Sequence, residues 1–266
     1  MFDIIEILSD WIITVRRSVG MVGGITLAFV ANNGVKIHYE VEGAGDPLVL
    51  QHGFFGSIED WYEYGYVAAL KEKFRLILID ARGHGASDKP HQPDQYSLYL
   101  RALDIVKVLD AQAVEKCHYL GYSMGGWIGF GLLKWFSERC NSFILSAIHP
   151  YATDLGELGE AVRTLDQWVP QSPMSEPHKR RFLANDKAAL LAAVTENRTD
   201  NTDQLRNITV PCLMMDGAND EIYGAVRDSS KLSERIEFVT ISHADHGGTL
   251  SRSDLVIPHV ERFLGK

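Results

Sequence analysis

The pentapeptide Gly121-Tyr122-Ser123-Met124-Gly125 follows the apolar run Cys117–Leu120 and opens an apolar stretch reaching Phe136. The run is short and β-rich. The stretch has helical spacing, so the pentapeptide reads as the junction of a strand with a helix. A turn that sharp strains its central residue and needs small neighbours where the backbones pass. Gly121, Gly125 and Gly126 meet that need. Ser123 is thereby presented at the C-terminal edge of a sheet, with its hydroxyl exposed. It also sits at a helix N-terminus, where free N–H groups favour negative charge. A glycine-rich packing turn would use the same glycines, but the strand–turn–helix context favours a nucleophile.

From about residue 25 the chain alternates β-rich runs with longer helical patterns. The expected strands are Ile25–Val30, Lys36–Val41, Leu48–Gln51, Arg75–Ile79, Cys117–Leu120, Phe143–Ala147, Cys212–Met215 and Glu237–Ile241. Asn32-Asn33-Gly34 predicts a turn between the first two, hence an antiparallel opening. The later strands are separated by helical patterns, as parallel βαβ units require. Those patterns include Tyr96–Ala113, Met124–Phe136 and Leu255–Leu264, with Pro258 leaving the start of the last one open. Between Ala147 and Cys212 there is no good strand. Helical patterns at Leu155–Val169, Pro177–Ala184 and Lys187–Thr195, broken by prolines, predict a small helical insertion over 151–207. The core is then expected at 21–150 and 208–266.

Residues 1–20 form a separate feature. Ile4, Ile5, Ile7, Leu8, Trp11, Ile12 and Val15 fall on one side of a helix, with Asp3, Glu6, Asp10 and Arg17 opposite. Acidic residues come first and Arg16 and Arg17 last, the reverse of a secretory signal. Two readings stand: an amphipathic helical extension that docks on the body, a partner chain or a membrane surface, or a poorly ordered extension ahead of Met21.

Composition narrows the function classes. The 266 residues carry 26 Lys+Arg against 35 Asp+Glu, a net charge of −9. That balance argues against a nucleic-acid partner, which needs clustered cations. The one tight basic cluster, His178-Lys179-Arg180-Arg181, reads as a solvated helix face. Cys117, Cys140 and Cys212 form no CxxC pair and suit core positions, which points to a reducing, cytoplasmic setting. No stretch has the ~18 apolar residues of a transmembrane helix.

A serine needs a base and an orienting acid. The base is sought beyond the last strand, in Ser242-His243-Ala244-Asp245-His246-Gly247. His246, followed by two glycines, is preferred over His243. The acid is sought after Cys212–Met215, where Asp216, Asp220 and Glu221 compete. Gly217-Ala218-Asn219 lets the chain turn before Asp220, which is preferred. Oxyanion donors are expected from the backbone N–H groups of Met124 and Phe54, the latter in the turn Gln51-His52-Gly53-Phe54-Phe55. His52 reads as a buried brace for that turn. Asp80-Ala81-Arg82-Gly83-His84-Gly85 reads as a tight structural loop fixed by Asp80 and Arg82.

These motifs, in this order, resemble the α/β-hydrolase superfamily: His52-Gly53-Phe54, Asp80–Gly85, Gly121–Gly126, Gly217–Asp220 and His246. The likeness runs from about residue 25 to the C-terminus, toward small carboxylesterases, lactonases and cofactor-free perhydrolases. It implies an α/β fold with an eight-stranded, mostly parallel sheet flanked by helices, and a helical cap after the sixth strand. Ser123 argues against haloalkane dehalogenases and epoxide hydrolases, which carry Asp there. The long N-terminal segment and Asp245 beside His246 depart from the usual pattern.

The expected activity is hydrolysis of short- to medium-chain carboxylic esters by a Ser123–Asp220–His246 triad. Lactone hydrolysis, including acyl-homoserine lactones, and perhydrolysis use the same triad. A ligand-binding receptor with vestigial turnover is the rival from another class. Phe55, Tyr122 and Trp168 are expected to line the substrate pocket. No cofactor and no metal are expected. The expected partner is a small ester or lactone, with a homodimer and membrane contact through the N-terminal helix left open.

Overall fold

A computed structural model describes the backbone of residues 18–22 and 25–265, with side chains from Ala28 onward. Nine strands form one sheet: β1 Ser18–Val22, β2 Ile25–Asn32, β3 Val35–Glu42, β4 Asp46–Gln51, β5 Phe74–Ile79, β6 Cys117–Tyr122, β7 Cys140–Ser146, β8 Cys212–Gly217 and β9 Ile236–Ile241. Their order is β1-β2-β3-β5-β4-β6-β7-β8-β9. Pairing is antiparallel from β1 to β3 and between β3 and β5, and parallel from β5 through β9.

All eight expected strands are present, and β1 is an added edge strand paired to β2. Residues 18–20, expected as the tail of an N-terminal helix, are therefore β-strand. The rest of that expected helix lies outside the described residues. The β2–β3 hairpin turns at Asn33 and Gly34, with φ of 50° and 79°. Both values are positive, as a two-residue type I′ turn requires, and Asn-Gly adopts them at low cost.

The helices are α1 Glu59–Glu63, α2 Tyr66–Leu70, α3 Leu98–Ala111, α4 Met124–Trp135, α5 Gly156–Arg163, α6 Leu165–Trp168, α7 Glu176–Leu183, α8 Lys187–Ala193, α9 Thr202–Arg206, α10 Tyr223–Ser229, α11 Gly248–Ser251 and α12 Ser253–Phe263. Pro258 lies inside α12.

Strand side chains alternate between two cores. Val49, Ile77, Tyr119, Leu145 and Met214 pack with α3, α4 and α10. Leu50, Leu78, Leu120, Ile144 and Met215 pack with Trp61 of α1, Leu70 of α2 and Val260 of α12. The central strands are thus buried on both faces, which is why they read as unbroken apolar runs.

Helices α5–α8 lie between β7 and β8. A Thr153–Arg198 backbone bridge, with N–H···O distances of 3.0 Å both ways, joins the two ends of that segment. Leu205 of α9 belongs to the main core, so the chain has returned to the sheet before β8. The basic cluster departs from expectation. It falls on α7, where Arg181 pairs with Asp60 and Glu63, and His178 bonds the Tyr64 hydroxyl at 2.7 Å. Two members of the cluster therefore face the body of the protein, because its acidic α1 residues lie opposite.

Cys117, Cys140 and Cys212 are free and buried. Among the described residues no helix is long and apolar enough to cross a membrane.

Candidate active site

The parallel strands end at one edge of the sheet, where crossover loops diverge and ligands bind in folds of this topology. Ser123 follows β6 there with φ 51° and ψ −111°, a conformation that L-residues rarely hold. It is kept there by its N–H, which donates to the Ser146 carbonyl at 2.8 Å, and by its carbonyl, which accepts from Trp127 N–H at 3.0 Å. The flanking glycines are a steric necessity. A Cβ on Gly121 would lie 2.5 Å from the Gly125 carbonyl, and one on Gly125 would lie 2.1 Å from the Gln51 oxygen.

Past β8, Asp220 closes a turn by donating its N–H to the Gly217 carbonyl at 3.0 Å. This turn clasps the loop after β9. Asn219 N–H donates to the Ala244 carbonyl at 2.8 Å, and a Cβ on Gly217 would lie 2.3 Å from that same oxygen. The clasp brings His246 into reach. His246 Nδ1 lies 2.7 Å from Asp220 Oδ2, and Nε2 lies 3.0 Å from Ser123 Oγ. Burial works to raise the Asp220 pKa. The His246 hydrogen bond and charge, with the Ile222 N–H, outweigh it and hold the carboxyl below its ordinary range. An ionised carboxylate can only accept, so Nδ1 carries the proton and Nε2 is left to accept from Ser123. Tyr122 fixes this geometry from behind by donating its hydroxyl to the His246 carbonyl at 2.9 Å.

Asp216, the competing acid, lies at the end of β8 and is fully buried. Burial, reinforced by the Asp220 charge, pushes its pKa up to about 8. His243 is exposed and takes no part in this chain of bonds. Asp245 accepts from Gly248 N–H at 2.7 Å and so caps α11.

The loop after β4 is braced as expected. His52 Nδ1 lies 2.7 Å from the Gly53 carbonyl, while Nε2 accepts from Ala81 N–H at 3.0 Å. Phe55 takes a positive φ of 66°. The N–H groups of Phe54 and Met124 enter none of the hydrogen bonds of the described residues. Asp80 and Arg82 secure the next loop: Asp80 accepts from Ile58 and Ala86 N–H at 2.9 Å, and Arg82 forks onto Asp104 at 2.7 Å twice.

Ser123 and His246 open on a cavity of about 430 Å³, with Phe55, Tyr122, Leu155, Leu158, Met174 and Phe182 among its apolar lining. Trp168 corrects the expected pocket. It does not line the cavity but stands behind it, edge-on to Phe55 and Phe182, because its Nε1–H is bound to the Ala161 carbonyl at 2.9 Å. The cavity also holds Asp60, Tyr64, His149, His178 and Arg198, which nothing in the sequence singled out for the site. They come from separate loops and helices and carry no motif. Only folding assembles them.

A family model described as alpha/beta hydrolase fold matches residues 46–184. A putative 2-succinyl-6-hydroxy-2,4-cyclohexadiene-1-carboxylate synthase of Bacillus subtilis is 27% identical over 80% of this chain and 90% of its own. A pimeloyl-[acyl-carrier protein] methyl ester esterase of Aeromonas hydrophila is 26% identical over 87% of this chain and 100% of its own. Among solved structures, a hydrolase from Pseudomonas aeruginosa superposes with a TM-score of 0.79 at 26% identity, covering 90% of this chain and 98% of its own.

Proposed function

Because the chain belongs to the α/β hydrolase fold family, we propose that it is a serine hydrolase cleaving carboxylic esters through an acyl-enzyme. The observation that carries this reading is the bonded series Ser123–His246–Asp220, with Ser123 and His246 lining a largely apolar cavity.

In the proposed reaction Ser123 Oγ attacks the ester carbonyl as His246 Nε2 takes its proton. Asp220 keeps Nδ1 protonated and stabilises the imidazolium that forms. The carbonyl π electrons move onto oxygen, and the N–H groups of Phe54 and Met124 receive that oxyanion. Collapse of the intermediate breaks the bond to the alcohol oxygen, which takes the proton from His246. Water, deprotonated by His246, then attacks the acyl-Ser123 ester, and the acid leaves with Ser123 reprotonated. We read α5–α8 as the cap that closes the cavity and excludes bulk water. Phe55 and Phe182, stacked at 5.4 Å, suit an acyl chain of short to medium length.

The test is a hydrolysis panel of p-nitrophenyl esters of graded chain length with acyl-homoserine lactones, run on wild type and Ser123→Ala. Turnover should fall by about 10⁴-fold or more in the variant. Near-wild-type residual activity would defeat the serine mechanism. Turnover of the lactones alone would replace the ester by a lactone as substrate.

A further inference from the structure

Arg198 lines the Ser123 cavity, yet its side chain enters no hydrogen bond or ion pair among the described residues. Its Nε is fully buried and orphaned. A guanidinium offers five donors, and leaving the buried one unmet is costly.

The fold treats its other internal arginines differently. Arg82 donates from each of its three nitrogens, to Asp104 and to the Gln95 carbonyl. Arg101 donates to the carbonyls of Tyr96 and Ala193 and to Met124 Sδ. Arg198 instead rests on the Trp127 ring, Cζ to centroid 5.3 Å, and Arg101 meets the same indole at 5.5 Å. These ring contacts hold the stem but consume none of the five donors. Arg198 and Ser123 line the same cavity, so the unmet cation and the serine face one shared space. His149 lines the same cavity within reach of the Arg198 charge, and its Nδ1 is a second buried nitrogen without a partner among the described residues. Burial, with the Arg198 charge added, lowers the His149 pKa and so favours its neutral form. The acidic member of the lining, Asp60, is already engaged by Arg181 at 3.1 Å. The cavity lining thus combines apolar side chains with a cation that has no acidic partner among the described residues.

We infer that Arg198 and His149 bind a second, free carboxylate on the substrate, so that the ester cleaved at Ser123 belongs to an acid-bearing molecule. The inference rests on the serine-hydrolase reading above and narrows it to half-esters or carboxylate-bearing esters. A carboxylate matches the guanidinium fork bidentately.

Two arms test it, each as an isosteric pair. The acyl-side pair is the mono-p-nitrophenyl ester of glutarate against the ester with an isopropyl group in place of the carboxylate. The alcohol-side pair is 2-carboxyethyl butyrate against isopentyl butyrate. The readout is the ratio of kcat/KM, charged over neutral, which cancels any loss of folded enzyme. In at least one arm the wild-type ratio should exceed about 10. Arg198→Met should lower it about 10- to 100-fold, and Arg198→Lys should fall between. A wild-type preference for the neutral partner in both arms overturns the inference, as does a ratio that Arg198→Met leaves in place.

Glutarate binding to the Ser123→Ala protein, followed by calorimetry with and without Arg198→Met, separates the two readings. Binding that depends on Arg198, without Ser123-dependent turnover of any ester, would sink the hydrolase reading and keep the carboxylate site. Ser123-dependent turnover indifferent to Arg198 would do the opposite.

Discussion

Asp216 and Asp220 leave the same end of β8 but meet opposite surroundings. Asp220 Oδ2 accepts from His246 Nδ1 at 2.7 Å, and its carboxyl is held in the ionised form. Asp216 is sealed beneath the turn, and burial beside the Asp220 charge favours its protonated form up to about pH 8. Two nearby carboxyls cannot both ionise cheaply, so the one that has the imidazole keeps the charge.

This division sets unequal costs for two similar substitutions. Asp220→Asn loses the charge and the acceptor that fix the His246 tautomer, and kcat should fall by about 10³- to 10⁴-fold. Asp216→Asn, which carries no proton for the reaction, should stay within about 10-fold. Initial rates on one p-nitrophenyl ester decide it. A crippling Asp216→Asn would exchange the two roles.

Asp216 also gives a pH signature. Its folded pKa lies above the unfolded value of ~3.9, so the native state binds more protons in between. Its contribution to stability is fully present below about pH 4 and is lost as pH rises through about 8. Relative to Asp216→Asn, the wild-type melting temperature should therefore decline between those limits. Thermal melts of both proteins across that range check it, and parallel curves would contradict it.

The glycines around Ser123 should differ in tolerance. Gly125→Ala drives a methyl into the Gln51 carbonyl at 2.1 Å, a backbone atom that cannot yield without parting α4 from β4. Gly126→Ala meets Ile148 Cγ2 at 2.4 Å, a side chain that can rotate. The first should cost about 3 kcal/mol or more and the second about 1–2 kcal/mol. Urea midpoints measure the difference.

Arg82 and Asp104 form a buried, bidentate pair with Asn32 as a further donor to Asp104 at 2.7 Å. Burial pushes the Asp104 pKa up even against that arginine. Arg82→Met strands the carboxyl and should destabilise by about 3–5 kcal/mol. Adding Asp104→Leu should restore part of the loss. A double variant no more stable than the single one would show that the pair is not what suffers.

Local signals carried far in this chain. Asn33-Gly34, the two-sided burial of the central strands and the glycines at 121, 125 and 126 each declare a backbone geometry through residues adjacent in sequence. Ser123 and His246 were legible for the same reason, as each follows a strand at a turn with few alternatives. Residues 18–22 gave no such sign. An edge strand is ordered by its pairing with β2, and no periodicity of its own announces that.

By itself, then, the sequence determined the parallel core and the elbow at Ser123. These depend on short-range sterics and on hydrophobic period. Only the tertiary structure set Asp220 rather than Asp216 against His246, moved Trp168 behind Phe55, turned His178 and Arg181 inward, and left Arg198 on the cavity without an acidic partner among the described residues. Those outcomes depend on which distant groups become neighbours and on how much water remains between them. No stretch of sequence encodes either one locally.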